Sequence, residues 1–467
     1  MRIGSSKSTD MTEGNIASLI MLFSVPLMIG NFFQLLYNMI DAIVVGNFVS
    51  KSALGAVGST GAIVNMVVSI FSGLATGAGA VISQFFGAKD GEKVKGSVHT
   101  SLIMTLIVGV LSSLVGVFFA DEFLVMMKTP ADIFPDALTY LKIYFAGMLG
   151  LLFYNMEAGI LRAVGDSAHP FYALVASSLV NLVLDLVFVL VFNMGVAGVA
   201  YATVLAQFAS AGILAVVLVR TNDSHRICFK DVKYSSSITA TIIKIGIPTA
   251  LHLGITAFSN IFVQAYINNF GGDVTTGWST YTKVDQIIIL PVMSISLALT
   301  TFVGQNLGAG KIDRVKKGIK FSVLISILIC AVLMIPMLIF PGPITKIFSK
   351  DKEVIRYGAY LLRLISPFYI TMAINQNLAG ALRGAGITKV PMIMALSTFV
   401  GFRQLYLYVI SRLGYGDVLT LVALSYPFGW IICSVAYAVY YKLSHWEEKQ
   451  SVVIKNKKES EKSENIQ

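Results

Sequence analysis

The chain has 467 residues, of which 55% are hydrophobic and 13% charged, with a mean hydropathy of +0.75. Soluble domains carry about 25% charged residues, so the solvent for most of this chain is a bilayer. The net charge of +10 would suit nucleic acid, but the bases sit in short connections between apolar runs, a pattern of topology and not of a DNA-binding face. Cys228, Cys330 and Cys433 are far apart, so no disulfide framework or zinc site is implied. No HExxH, GxSxG, P-loop or clustered Cys/His pattern points to an enzyme. The first apolar run is too long for the core of a cleavable signal.

Twelve spans are predicted, at 18–47, 54–86, 98–120, 134–158, 171–192, 195–219, 238–269, 276–306, 318–340, 355–381, 391–413 and 418–442. The first holds Asp41 as its one charged residue, and Pro26 about a turn into it removes a helix hydrogen bond and permits a hinge. A carboxylate inside hydrocarbon costs at least ~2.5 kcal/mol, so it marks a functional site by default. The segment from Ser444 to Gln467 is polar, rich in Lys and Glu, and expected to be a disordered cytoplasmic tail. The even-numbered connections carry fifteen Lys and Arg residues and the odd-numbered ones seven, which places both termini in the cytoplasm of a multi-pass plasma-membrane protein.

The chain also repeats itself. Gln84-Phe85-Phe86-Gly87-Ala88-Lys89 aligns with Gln305-Asn306-Leu307-Gly308-Ala309-Gly310 at an offset of 221, and AGILRAVGDSAHP (158–170) falls on AGALRGAGITKVP (379–391) at the same offset. Pro26 meets Pro248 at 222. Polar loop residues at a constant offset are not chance similarity of apolar runs. The plan is therefore six spans followed by six in the same orientation: a bundle over 1–220, a cytoplasmic linker over 221–237 and a second bundle over 238–443.

These paired loops, the 6+6 plan and Asp41 resemble the multidrug and toxic compound extrusion (MATE) family over roughly 16–443. The resemblance implies an all-α integral membrane fold, twelve helices in two pseudo-symmetric six-helix bundles around a central cavity. It also implies export of cargo driven by inward H⁺ or Na⁺. The DinF-like prokaryotic branch uses an acid in its first helix, an Asn-x-x-x-Asp pair in the fifth and a Thr in the sixth. This carries the cation site onto Asp41, Asn181, Asp185 and Thr203, with Na⁺ held there if Na⁺ is the coupling ion. The NorM branch uses acids in the seventh and tenth helices, and those spans have none here.

Elementary chemistry supports the same residues. Asn181 and Asp185 are four apart and share a helix face. Carboxylates, an amide oxygen and a hydroxyl are hard donors suited to Na⁺ or a shared proton. Asp185 lies about 15 residues, or ~22 Å, from the cytoplasmic start of its helix, in the outer half of the membrane.

Other candidates are more open. Gln34, Tyr37, Asn38, Phe153, Tyr154, Asn155 and Tyr281 are candidate cavity residues, where aromatic faces would suit flat amphiphilic cations; helix packing is the plainer reading. Lys283 and Asp285 are two apart and cannot simply neutralise each other, so they either face the cavity or pair with other helices. Arg403 must face the interior or water. Glu157 and Arg162 read as an inner gate or loop brace, and His99 and His252, placed near span ends, as satisfied or solvated. The resulting expectation is a cation-coupled antiporter of small amphiphilic compounds, working as a monomer without cofactor or nucleic acid. The alternative is a flippase for lipid-linked oligosaccharides or peptidoglycan precursors, which would call for a strongly basic cavity.

Overall fold

The computed structural model describes residues 8–49, 51–127, 129–228, 230, 232–444 and 446, with the backbone alone for 37–44, 47, 51, 52, 54, 62, 257 and 258. The side chains of Tyr37, Asn38 and Asp41, and the tail from 447 onward, therefore lie outside the described residues.

The helices are α1 (Ile16–Val44), α2 (Lys51–Gly87), α3 (Gly91–Phe118), α4 (Ala120–Met126), α5 (Phe134–Ala146), α6 (Met148–Ala163), α7 (Ala168–Leu186), α8 (Gly195–Arg220), α9 (Ser236–Asn268), α10 (Gly272–Gly308), α11 (Ile312–Ile339), α12 (Pro341–Lys346), α13 (Lys352–Ile365), α14 (Tyr369–Gly384), α15 (Lys389–Ala395), α16 (Arg403–Arg412) and α17 (Leu419–Leu443). Among the described residues there is no strand. Ten helical stretches among the described residues are long and apolar enough to cross a membrane, and α5 with α6, bent by 50°, passes the same test as a pair. The bend falls at Gly147, which caps both helices and takes the Val204 side chain where a Cβ would stand. The predicted tenth span is likewise two helices, α13 and α14, joined by a short 3₁₀ turn at Ser366–Phe368. Pro367 in that turn has no N–H to continue the α-helical ladder.

Among the described residues three helices end or break in π-helical turns: Val45–Val49 after α1, Val187–Val191 after α7 and Leu396–Phe402 between α15 and α16. Asp185 lies just before the second turn and Arg403 just after the third. Widened turns of this kind release backbone groups, and they gather at functional sites.

The chain divides into two compact units, Met1–Asp10 with Val25–Ile247 and Met11–Ser24 with Pro248–Gln467. The changeovers inside α1 and α9 fall beside Pro26 and Pro248, the prolines paired by the repeat. In the first unit the core is built from residues such as Leu124, Leu141, Met148 and Leu152. In the second it is built around Val292, Leu361, Ile365 and Tyr369. Large apolar side chains such as Leu324, Leu328 and Val332 stand exposed along one face of α11, as expected where lipid is the solvent.

The repeat is visible atom by atom. Ala88, Lys89 and Asp90 donate backbone N–H groups to Gln84, Phe86 and Phe85, and Ala309, Gly310 and Lys311 donate to Gln305, Leu307 and Asn306 in the same pattern. Lys89 takes the left-handed conformation (φ 59°) that Gly310 takes in the second copy (φ 71°). Gly159 lies against the Ala75 backbone and Gly380 against Ser296, the corresponding pair at offset 221. The polar loop residues also have structural work. Gln305 accepts the Met11 N–H at 2.8 Å, while Asn306 and Arg314 donate to the Met11 carbonyl at 3.1 and 3.2 Å. In the first unit, Thr9 N–H donates to Val164 O at 3.1 Å and Ser8 donates to Asp223 at 2.8 Å.

Candidate functional site

The first unit encloses a cavity of about 440 Å³. Pro26, Asn31 and Gln34 of α1 line it together with Tyr154, Asn155 and Arg162 of α6. From α7 come Ser177 and Asn181, and from α8 Thr203, Gln207 and Ser210. A space of this size falls within the roughly 300–1,000 Å³ typical of small-molecule sites.

Two of the four expected cation ligands, Asn181 and Thr203, thus face one cavity. Asp185 lies one turn further along α7 on the same face, and both it and Asn181 are 1% exposed. The Thr203 hydroxyl donates to Val199 O at 3.0 Å, which leaves its oxygen lone pairs for a donor or cation. Gln207 donates to the Tyr144 hydroxyl at 3.2 Å, while its buried Oε1 accepts no hydrogen bond among the described residues. That acceptor is presented by a side chain lining the cavity and is suited to a donor or a cation. Asn155 donates to Leu151 O at 2.8 Å, one turn back on its own helix.

Of the other expected residues, Gln34, Tyr154 and Asn155 line this cavity and Pro26 stands at its wall, whereas Phe153 is partly buried outside it. Tyr281, Lys283, Asp285 and Arg403 belong to the second unit. Lys283 is exposed, its amine 6.0 Å from the Phe348 ring, while Asp285 turns toward Tyr281, so the two do diverge. Arg403 is buried, donating to Ser259 and Asn260 and lying over the Tyr426 ring. Arg162 lines the first cavity, and Glu157 is buried with no hydrogen bond to its Oε2 among the described residues. His99 Nε2 accepts the Cys228 N–H at 3.2 Å. His252 lies well inside α9, buried, with Nδ1 lacking a hydrogen bond among the described residues, so the expected place near a span end is corrected.

Sequence reasoning missed Ser177, Gln207 and Ser210. The signal was present, because Ser177 precedes Asn181 by four residues and Gln207 follows Thr203 by four. Each continues a polar stripe on its helix.

A helical, membrane-spanning chain built from two homologous repeats, with a polar cavity inside one of them, has the architecture of a polytopic transporter. The MatE family model matches it twice, over residues 26–187 and 248–409, starting at the two paired prolines. The chain belongs to the MatE family of membrane transporters. It is 29% identical over 448 residues to the probable multidrug resistance protein YpnP of Bacillus subtilis, covering 94% of this chain and 98% of the relative. It is 23% identical to the multidrug export protein MepA of Staphylococcus aureus (strain MSSA476), covering 80% of this chain and 83% of that one. An outward-facing multidrug resistance MATE transporter structure superposes with a TM-score of 0.87 at 22% identity, covering 96% of this chain and 100% of the other, a likeness of fold.

Proposed function

We propose that the chain is a cation-coupled antiporter that exports amphiphilic, often cationic, compounds across the plasma membrane by alternating access, with both termini cytoplasmic. The observation that carries the reading is the meeting of Asn181 and Thr203 in one cavity of drug-sized volume, with Asp185 buried a turn deeper. Asp41, Asn181, Asp185 and Thr203 would hold the coupling ion. Their oxygens are hard donors, and such a set fits Na⁺ or a proton equally well. Binding neutralises the buried carboxylates and removes the cost of keeping charge in a low dielectric. Pro26 stands at the wall of the same cavity, so a bend there changes the space available to cargo. For an uncharged cargo each inward charge supplies ~2.3 kcal/mol per 100 mV, enough for a gradient of more than tenfold at ~1.4 kcal/mol per factor of ten. A monovalent cationic cargo exchanged one for one draws instead on the ion's concentration gradient.

The names of the relatives, multidrug resistance and multidrug export proteins, support this class of cargo. The flippase alternative would require several bases to hold a polyanionic head group, whereas the described lining of this cavity contains one, Arg162. Expression in a host stripped of its own efflux pumps tests the reading. Resistance to lipophilic cations is expected, with export that depends on an inward Na⁺ or H⁺ gradient. Sensitivity equal to that of the empty host, with the protein present in the membrane, would refute it.

A further inference from the structure

The second unit contains a carboxyl group that the coupling site above does not use. Asp285 lies inside α10, and Tyr281, one turn earlier, donates its hydroxyl to Asp285 Oδ1 at 3.3 Å. Tyr369 of α14 donates to the Tyr281 hydroxyl at 3.4 Å, which extends the chain of phenols by one. Tyr426 of α17 completes the titratable surroundings, with Arg403 of α16 lying over its ring at 4.6 Å. Lys283 turns away toward Phe348, and no Lys or Arg pairs with Asp285 among the described residues. No charged group of α11 or α13 pairs with it among the described residues either.

Three properties define what such a group can hold. The rings beside it are packed on one another, Trp278 lying 5.2 Å from Tyr281 and 5.5 Å from Tyr426. A metal ion needs several oxygens converging at about 2.0–2.6 Å. Here the Asp285, Tyr281 and Tyr369 oxygens stand at hydrogen-bond spacings, 3.3 Å from Tyr281 to Asp285 and 3.4 Å from Tyr369 to Tyr281. A carboxylate in this place has phenol donors for its ionised form and apolar walls that favour its neutral form. The ligand that fits this balance, and requires no volume, is a proton.

We propose that Asp285 is a second proton-binding site, carried by the C-terminal unit and served by the phenols of Tyr281 and Tyr369. The proton is taken from water, forms the O–H bond of the carboxyl group, and returns to water when that bond breaks. The site is not a copy of the first one. The position related to Asp285 by the repeat is Val64, an apolar residue lining the cavity of the first unit. The two units therefore carry ionisable groups at unrelated positions. Acidification reaches the second unit whether the coupling ion in the first is H⁺ or Na⁺.

Infrared titration of the full-length protein in lipid nanodiscs tests this through the C=O stretch of protonated carboxyl groups. An Asp41→Asn/Glu157→Gln/Asp185→Asn background removes the acids of the proposed coupling site and the buried carboxyl of α6. In that background the pH-dependent carboxyl band is expected to keep a component that is lost on adding Asp285→Asn and returns with Asp285→Glu. Tyr281→Phe should move its midpoint by about tenfold in proton activity, because the ionised form loses its direct donor. A spectrum unchanged by Asp285→Asn across the pH range in which the protein stays folded overturns the proposal. The difference made by Asp285→Asn reports on Asp285, so absence of drug export would refute the antiporter reading without touching this one.

Discussion

Replacing Arg403 with Met should destabilise the second unit by about 3–5 kcal/mol, because a buried charged donor loses its hydrogen bonds to neutral acceptors and its aromatic stacking together. The side chain is 2% exposed. Its Nε donates to Ser259 Oγ at 3.1 Å and its Nη2 to Asn260 Oδ1 at 3.0 Å, with a further short contact from Nη2 to Ser259. Each hydrogen bond from a charged donor contributes about 1.5–3 kcal/mol, and stacking on Tyr426 adds about 1–2 kcal/mol. The hydrophobic surface of Met returns part of this, which keeps the net loss near the lower bound of the sum. At about 2–4 °C per kcal/mol for a unit of this size, the apparent Tm should fall by about 10 °C. Thermal unfolding in detergent followed by tryptophan fluorescence suits the measurement, because Trp430 and Trp278 both pack against Tyr426. Arg403→Lys should recover less than half of the loss, since an ammonium cannot span both acceptors and the ring. A Met variant whose Tm stays within about 2 °C of wild type would refute the reasoning.

Three further outcomes are expected. Gly380→Ala should cost about 1–3 kcal/mol in the same assay, because the new methyl would stand 2.7 Å from the Ser296 carbonyl oxygen, and a variant as stable as wild type would contradict that packing. His225, fully buried in the connection after α8, is held below the ordinary histidine range by burial, with Asp223 and Asp166 opposing in part. The unfolded chain therefore takes up its proton first, so stability is level above about pH 6.5 and falls as pH drops through that value; His225→Phe should flatten that part of the Tm-against-pH curve, and an unaltered slope would exclude the group. Thr203→Val keeps the shape of the side chain but removes an oxygen from the cavity, so the cation concentration giving half-maximal export should rise about tenfold while the Tm moves little. An unchanged half-maximal concentration would remove Thr203 from the site.

Much of this molecule could be read from its sequence because it was written twice. The polar loops at 84–91 and 305–311 form the same backbone hydrogen bonds, and Pro26 and Pro248 mark the starts of both family matches. Asn181 and Asp185 share a face because four residues make about one helical turn, and that required no structure. What remained hidden depended on distant partners. No local pattern joins Arg403 to Ser259 or Gln305 to Met11, pairs separated by 144 and 294 residues. The break between α13 and α14 was signalled by Pro367, but apolar residues on both sides hid it in a continuous run. The cavity of the first unit was legible only in part, through Gln34, Tyr154, Asn155, Asn181 and Thr203, because its lining is gathered from six helices and no local pattern brings them together.

The central claim is that buried oxygens of the first unit exchange a small cation for cargo, and gradient-driven dye transport in proteoliposomes tests it most directly. Wild-type protein should move dye only while a Na⁺ or H⁺ gradient is imposed, and Asp185→Asn should reduce that movement to the leak rate while the protein still binds dye. Gradient-driven transport by Asp185→Asn at the wild-type rate would contradict the account.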